Sequence, residues 1–350
     1  MKNFGQRLNN ARKMNGLSMQ DLAIKMSNVI TKQAIGKYEQ GDMQPTSDIL
    51  IELCKALNVR PDYFLRKEKI KLANVEFRKL NRLSAKEIDM IKANTIDFLE
   101  RYFELEDVLG IDNSFQNPIQ NVIINDKEGI EKAADRLRDK WNIGDNVIPN
   151  VIELLEDHEI KVYEVDAEDG FDGLSSFANG IPVIVLNKNL QKFRKRFTTL
   201  HELAHLLLAF PENKFSEKEI EKLCHAFAGA LLIPKSSFIE EFGVHRSNVL
   251  MKELMIMKEN FGISMQAIMA RAKNLDLISG STYRDFFKTF SRLGYRKKEP
   301  GDYKGEEKSN RFLQLLLRAV AEEVVTLSKA AALSNQKLVD FRNLINTVEV

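Results

Sequence analysis

Residues 196–209 read RFTTLHELAHLLLA. The run is apolar almost all round at helical spacing, which predicts a helix buried inside a domain. His201 and His205 are four residues apart, so on a helix their imidazoles lie one turn apart on the same face. Two histidines at this spacing can share one zinc ion, and Glu202 between them can act as general base toward water. The stretch therefore predicts a hydrolytic site with Zn²⁺ as its cofactor.

A third ligand is needed, because catalytic zinc in proteins usually has three protein ligands and one open position. A second helix is predicted after Ser216, which can form a capping box with Glu219. Four side chains follow one side of that helix at spacings of three and four: Glu217, Glu221, Cys224 and His225. Glu221 lies 16 residues after His205, which leaves room for a loop and an antiparallel return, and we predict it as the third ligand. Glu217 is explained more simply by the helix dipole.

Two segments around this motif resemble the ImmA/IrrE family of metallopeptidases. They are Arg196-Phe197-Thr198 ahead of the histidines and residues 221–234, EKLCHAFAGALLIP, behind them. The resemblance covers roughly residues 125–292. It implies a zincin-like α+β domain with a small sheet, and zinc held by His201, His205 and Glu221. Cys224 and His225 stand where the family has Ala-Asn, so His225 could be an extra or substitute ligand, or could support the site from outside the ligand shell.

A different motif occupies residues 17–41, LSMQDLAIKMSNVITKQAIGKYEQG. Five short helices are predicted around it, over residues 4–14, 18–26, 31–40, 46–57 and 61–66. The second and third form a helix-turn-helix, in which the later helix enters the major groove. Its DNA-facing side chains would be Thr31, Lys32, Gln33 and Lys37. Residues 3–66 resemble the XRE family of Cro and phage-repressor-like regulators, which implies a double-stranded DNA operator as partner.

The remaining sequence predicts a mainly α chain with one α+β domain. The expected units are a five-helix, Cro/repressor-like helix-turn-helix domain over residues 1–68, a helical spacer and linker over 69–125, the zinc metallopeptidase domain over 126–293, and a helical C-terminal extension over 294–350. Ser84 and Glu87 predict a capping box for a helix to Leu109, either a spacer or dimerising helix or one packed on a neighbouring domain. Strands are predicted at Lys161–Val165, Leu174–Phe177 and Pro182–Leu186. The extension, with a charged loop at Arg296–Lys308 and a helical segment from Phe312, shows no chemical motif.

Charge and composition indicate where the protein is located and which partners it can bind. The net charge is +2 over 350 residues, but residues 1–68 carry 11 Lys/Arg against 7 Asp/Glu, so the basic excess lies in the predicted DNA-binding unit. The longest apolar stretch is far too short to cross a membrane, and the N-terminus lacks a secretory signal. We therefore expect a cytoplasmic protein with no membrane contact. The two cysteines are expected to stay reduced.

Together the two domains predict a DNA-binding transcriptional regulator with a zinc-dependent endopeptidase acting on a repressor or partner protein. The resemblance implies a helix-turn-helix repressor as substrate and a possible toxin partner. A homodimer is expected, because palindromic half-sites need two helix-turn-helix units. The alternative is a non-catalytic repressor or antitoxin of a toxin–antitoxin pair, in which the zinc site is structural or sensory. A closed shell with Cys224 or His225 as fourth ligand would favour that alternative, and an open position would favour hydrolysis.

Overall fold

The structure is a computed structural model that describes residues 2–66, 70–73, 83–296 and 298–346. Helices dominate it, and it contains one small mixed sheet, which confirms the mainly α chain with an α+β domain. The predicted boundary between residues 68 and 69 and one residue of the predicted charged loop, Lys297, lie outside the described residues. Within the described part, every helix is too short or too polar to cross a membrane.

The N-terminal unit contains the five predicted helical segments. They are α1 (Lys2–Met14), α2 (Met19–Lys25), α3 (Lys32–Gln40), α4 (Ser47–Leu57) and a 3-10 helix (Pro61–Leu65). Ser18, Thr31 and Thr46 cap α2, α3 and α4 by accepting a backbone N–H three residues on. Their inner faces meet in one apolar core around Leu8, Leu22 and Ile35. The capping residues and the helical spacing of apolar side chains therefore determine where these helices begin and which face each of them buries.

The α+β unit is built on a four-stranded sheet. Its strands are β1 (Leu72–Ala73), β2 (Lys161–Val165), β3 (Gly173–Ala178) and β4 (Ile181–Asn187), in the order β1-β3-β4-β2. β2 runs parallel to β4, and the other neighbours are antiparallel. The three predicted strands are confirmed. β1 was not predicted, because a two-residue strand has no periodicity to detect.

Eight helices complete this unit within the described residues. They are α6 (Lys127–Lys140), α7 (Val151–Asp157), α8 (Lys192–Leu207), α9 (Glu217–Leu232), α10 (Lys235–Phe242), α11 (Met251–Phe261), α12 (Met265–Asn274) and α13 (Gly280–Arg292). Ile184 and Leu186 of β4 join the core formed by these helices. Val183 and Val185, on the opposite face of the strand, join a second core. The sheet is therefore covered on both sides, which explains why β4 is apolar without alternation.

The helix that covers the second face is α5 (Ala85–Leu109), which begins with the predicted Ser84–Glu87 capping box. Its Ile91 and Leu99 pack against Val183 and Val185. Toward the N-terminal unit, Glu100 forms an ion pair of 2.5 Å with the buried Arg7 of α1. Within one chain α5 is thus packed on neighbouring units, the second of the two roles considered for it.

The C-terminal extension begins with a loop that is anchored in the α+β unit. Arg196 and Glu307 form an ion pair in which both side chains are fully buried. Glu307 also accepts the backbone N–H of Val151, at the start of α7, at 3.1 and 3.2 Å. Three helices follow, α14 (Arg311–Ala321), α15 (Leu327–Leu333) and α16 (Leu338–Asn346), and they pack on α5 around a small core that includes Tyr102 and Leu105. The segment predicted from Phe312 is therefore three helices.

Candidate metal centre

The helix α8 is buried along most of its length and presents His201 and His205 toward α9. Leu200, Leu203 and Leu207 are at most 1% exposed and belong to the main core. Because these residues hold the helix against its neighbours, the histidine face is fixed toward the facing helix. This placement follows directly from the spacing of the motif.

The three predicted ligands converge across the α8–α9 interface. The two imidazole Nε2 atoms are 3.3 Å apart. One carboxylate oxygen of Glu221 is 3.1 Å from Nε2 of His201, and the other is 3.5 Å from Nε2 of His205. A tetrahedral zinc with bonds of about 2.0–2.1 Å requires ligand atoms about 3.3–3.4 Å apart. The donor set and its separations therefore fit zinc.

Glu202 lies beside this cluster and has its own partner. Its Oε2 accepts a hydrogen bond of 2.8 Å from the hydroxyl of Ser175, on β3. The contact joins the sheet to the general base predicted on α8 and orients its carboxylate. Ser175 was missed from the sequence, because a single serine in a strand carries no motif and its partner is 27 residues away.

His225 borders the cluster. Its Nδ1–H donates to the backbone carbonyl of Glu221 at 2.6 Å, and its ring centroid is 4.2 Å from that of His201. Ligand atoms of His201, Glu221 and His225 lie within 4.8 Å of one another. Burial, followed by the neighbouring imidazole of His201, lowers the pKa of His225. The structure thus places His225 where it supports Glu221 and also within reach of the metal site.

Cys224 and Glu217 stand apart from the three ligands. The Sγ atom of Cys224 is 3.7 Å from Nδ1 of His205, the ring nitrogen that faces away from the cluster. Its thiol therefore contacts the back of a ligand, a position from which it orients the ring. Glu217 is exposed in the first turn of α9, as its dipole role predicts.

A cavity of about 1150 Å³ adjoins the site, and His225 and Phe197 form part of its wall. Its lining is partly aromatic, with Phe193, Phe215, Tyr283 and Phe287. Arg271 also lines the cavity, although it is only 3% exposed. Its guanidinium donates two hydrogen bonds of 2.9 Å to Glu131 of α6. The packing of α12 against α9 therefore encloses Arg271, and its charge is compensated by Glu131.

The second predicted site is on α3. Thr31 caps this helix by accepting the N–H of Ala34 at 3.2 Å. The side chains of Thr31, Lys32, Gln33 and Lys37 are all exposed on one helix. Ile35 and Tyr38 are buried in the core, as expected for the residues that anchor a DNA-reading helix.

Comparison with known families assigns both units. A family described as the IrrE N-terminal-like domain, a peptidase family, matches residues 155–273, and a family described as helix-turn-helix matches residues 8–64. The first range contains the three converging ligands, and the second contains α2 and α3. No curated protein matches the chain. The chain therefore joins an XRE-type helix-turn-helix domain to an IrrE/ImmA-like domain of a peptidase family, as its sequence predicts.

Proposed function

We propose that this protein is a DNA-binding transcriptional regulator whose second domain is a zinc-dependent endopeptidase that cleaves a partner protein. The observation that carries the proposal is the convergence of His201, His205 and Glu221 at tetrahedral separations, with Glu202 held beside them. The exposed face of α3 supports the DNA-binding half.

Each residue at the site has a distinct role in this proposal. His201, His205 and Glu221 would hold the metal, and zinc, when bound, supplies a Lewis acid toward water and the scissile carbonyl. The carboxylate of Glu202 takes the proton of the attacking water and returns it to the leaving amine. Ser175 keeps that carboxylate in one orientation through its hydrogen bond to Oε2.

The adjoining cavity supports a protein substrate. Its aromatic lining suits a large apolar side chain, and its volume of about 1150 Å³ exceeds what one such side chain occupies. Following the family resemblance, we propose a helix-turn-helix repressor as the substrate.

The decisive experiment separates chemistry from metal binding. The substrates are purified helix-turn-helix repressors whose genes lie beside the gene of this protein. Glu202→Gln is expected to keep one zinc per chain and to lower cleavage by about 10²–10⁴-fold, because the amide cannot accept the proton. Glu217→Gln removes the same charge from the exposed start of α9 and should retain wild-type cleavage. Equal cleavage by wild type and Glu202→Gln would remove the peptidase from the proposal.

The non-catalytic alternative has one observation in its favour, the position of His225 within reach of the ligand cluster. If His225 completes a closed shell, the domain would act as a metal-dependent repressor or as the antitoxin of a toxin partner. Regulation of its promoter in cells that is identical for wild type and Glu202→Gln would support this alternative.

We also propose that the chain binds its operator as a homodimer through the N-terminal unit or exposed residues of α5, because a single small helix-turn-helix module buries little surface on DNA. Sedimentation of the full chain with and without DNA is expected to show a dimer at micromolar concentration. A monomer under both conditions would contradict this expectation.

A further inference from the structure

The C-terminal helices repeat the first three helices of the N-terminal unit. A shift of 308 residues aligns α1 with α14 and keeps four identities: Phe4 with Phe312, Gln6 with Gln314, Leu8 with Leu316, and Ala11 with Ala319. Both leucines and both of these alanines are fully buried. The shared pattern therefore describes equivalent core positions on two helices that are far apart in the chain.

The same shift aligns α2 with α15 in detail. Both helices have seven residues, and their N-caps, Ser18 and Thr326, are equivalent. The buried Ala23 corresponds to the buried Ala331. Four residues after each alanine the backbone is left-handed, with φ of 54° at Ser27 and 55° at Asn335.

Backbone hydrogen bonds at the ends of α2 and α15 also correspond. The N–H of Asn28 donates to the carbonyl of Ala23 at 2.8 Å, and the N–H of Gln336 donates to that of Ala331 at 2.9 Å. The turn that follows is two residues shorter in the C-terminal copy. The fourth residue of the next helix is then fully buried in both copies, Ile35 in α3 and Phe341 in α16. Residues 311–346 therefore form a second helix-turn-helix unit, which neither family match covers.

We propose that α16 is a second DNA-contacting helix, which allows one chain to bind double-stranded DNA through two units. With the shorter turn, Lys337, Val339 and Asn343 occupy the positions of Thr31, Gln33 and Lys37. All three are exposed, and Val339 is 65% exposed. Lysine can bind phosphate or guanine, asparagine can pair with adenine, and an apolar side chain can contact the thymine methyl group.

The net charge of the unit suits a DNA backbone as the partner, and α16 also exposes three apolar side chains, Val339, Leu344 and Ile345. Residues 311–346 contain five Lys/Arg and three Asp/Glu. Arg342, also exposed on α16, adds a second cation to this helix. A net positive unit with exposed cations in and beside α16 matches the electrostatic requirement of a phosphate backbone.

The two units lie next to each other. Arg60, beside the 3-10 helix, donates to the backbone carbonyl of Ser328 at 3.4 Å. Arg101 of α5 donates to the carbonyl of Leu333 at 2.7 Å. Because both units are attached to α5, binding of one holds the other at high effective concentration near the same duplex.

The test uses the full chain and a duplex that the wild-type chain selects from a randomised double-stranded pool. The triple variant Lys337→Ala, Arg342→Ala, Asn343→Ala is expected to bind this duplex about tenfold or more weakly, with a shorter nuclease footprint and a smaller salt dependence. Arg318→Ala removes an exposed cation from α14 of the same unit and should bind like wild type. All three substituted residues are exposed, and thermal unfolding of the triple variant measures whether it stays folded. Lys337→Glu alone, with the same reduction expected, is the second variant if the triple variant unfolds.

Three results would overturn the proposal. Wild-type affinity and footprint for the α16 variants, together with lost binding by Lys32→Ala and Gln33→Ala, would leave DNA binding to the N-terminal unit alone. A change in sedimentation of the α16 variants without a change in DNA affinity would make α16 a protein-contact surface. Failure of the wild-type chain to select any duplex would remove both this proposal and the DNA-binding half of the proposed function.

Discussion

The proposed DNA-contacting face and the candidate metal centre are assembled in opposite ways. Thr31, Lys32, Gln33 and Lys37 lie within seven consecutive residues and are exposed on a single capped helix. The candidate metal centre takes His201 and His205 from α8 and Glu221 from α9, and Ser175 of β3 holds the neighbouring Glu202. A local surface site needs only a folded helix beneath it, whereas the candidate metal centre requires two helices and a strand to meet within about 0.5 Å of the required geometry.

Burial makes a second difference between the two regions. Exposed side chains on α3 remain solvated, so their replacement should change binding and leave folding intact. The groups of the candidate metal centre are partly buried and others in the same domain, such as Glu156, are buried, so their charge and their partners affect stability as well. Three predictions test this contrast, beginning with the largest effect.

Removing a ligand should eliminate metal binding. His201→Ala, His205→Ala and Glu221→Ala are each expected to reduce zinc from one per chain to none, because two remaining ligands do not hold the ion. Cys224→Ser, which alters a contact behind His205, should keep the metal and serves as the control. Metal analysis of the purified chains gives the answer. Full zinc in Glu221→Ala would mean that His225 or Glu217 is the third ligand.

The α+β domain should also show a pH-dependent stability that arises from Glu156. This carboxyl is 3% exposed, and burial raises its pKa to about 7 although Ser309 donates a hydrogen bond to it. A raised carboxyl pKa stabilises the fold at low pH, and that contribution is lost as pH rises through 7. For a pKa shift of this size, this contribution to the free energy of unfolding is about 3 kcal/mol.

Glu156→Gln should therefore remain stable as pH rises from 5 to 8, whereas the wild type loses up to about 3 kcal/mol relative to it. Chemical unfolding at both pH values measures this difference. Glu153→Gln, an exposed neighbour on α7, should follow the wild type. Parallel pH profiles for wild type and Glu156→Gln would show that Glu156 is ionised in the folded protein without cost.

The smallest expected effect is on α3. Lys32→Ala or Gln33→Ala should weaken specific DNA binding by about 1–3 kcal/mol and leave zinc content unchanged, because each removes a proposed base contact at an exposed position. Gel-shift titrations at fixed salt measure the loss, and Lys55→Ala on α4 is a matched control of equal charge. Unchanged affinity in both α3 variants would place the DNA contact on another face.

Local sequence is sufficient to predict where the helices begin and that His201 and His205 share one face of α8. Caps such as Ser84 and Ser216 and the apolar spacing of α8 act within a few residues, so the helix starts and the shared face of His201 and His205 follow from the chain itself. The exposed face of α3 follows for the same reason. These features depend on interactions between residues that are neighbours in sequence.

Only the tertiary structure decides which distant groups become partners. Ser175 of β3 donates a hydrogen bond to Glu202 of α8. Arg196 forms an ion pair with Glu307, 111 residues later, and Arg271 forms one with Glu131. The repeat in the C-terminal extension also depends on the tertiary structure. Its shared features are a few small buried alanines and one left-handed residue, and this sequence pattern is too weak to detect before the packing is known. Such contacts depend on how separate elements share buried space, and desolvation then makes each partner necessary.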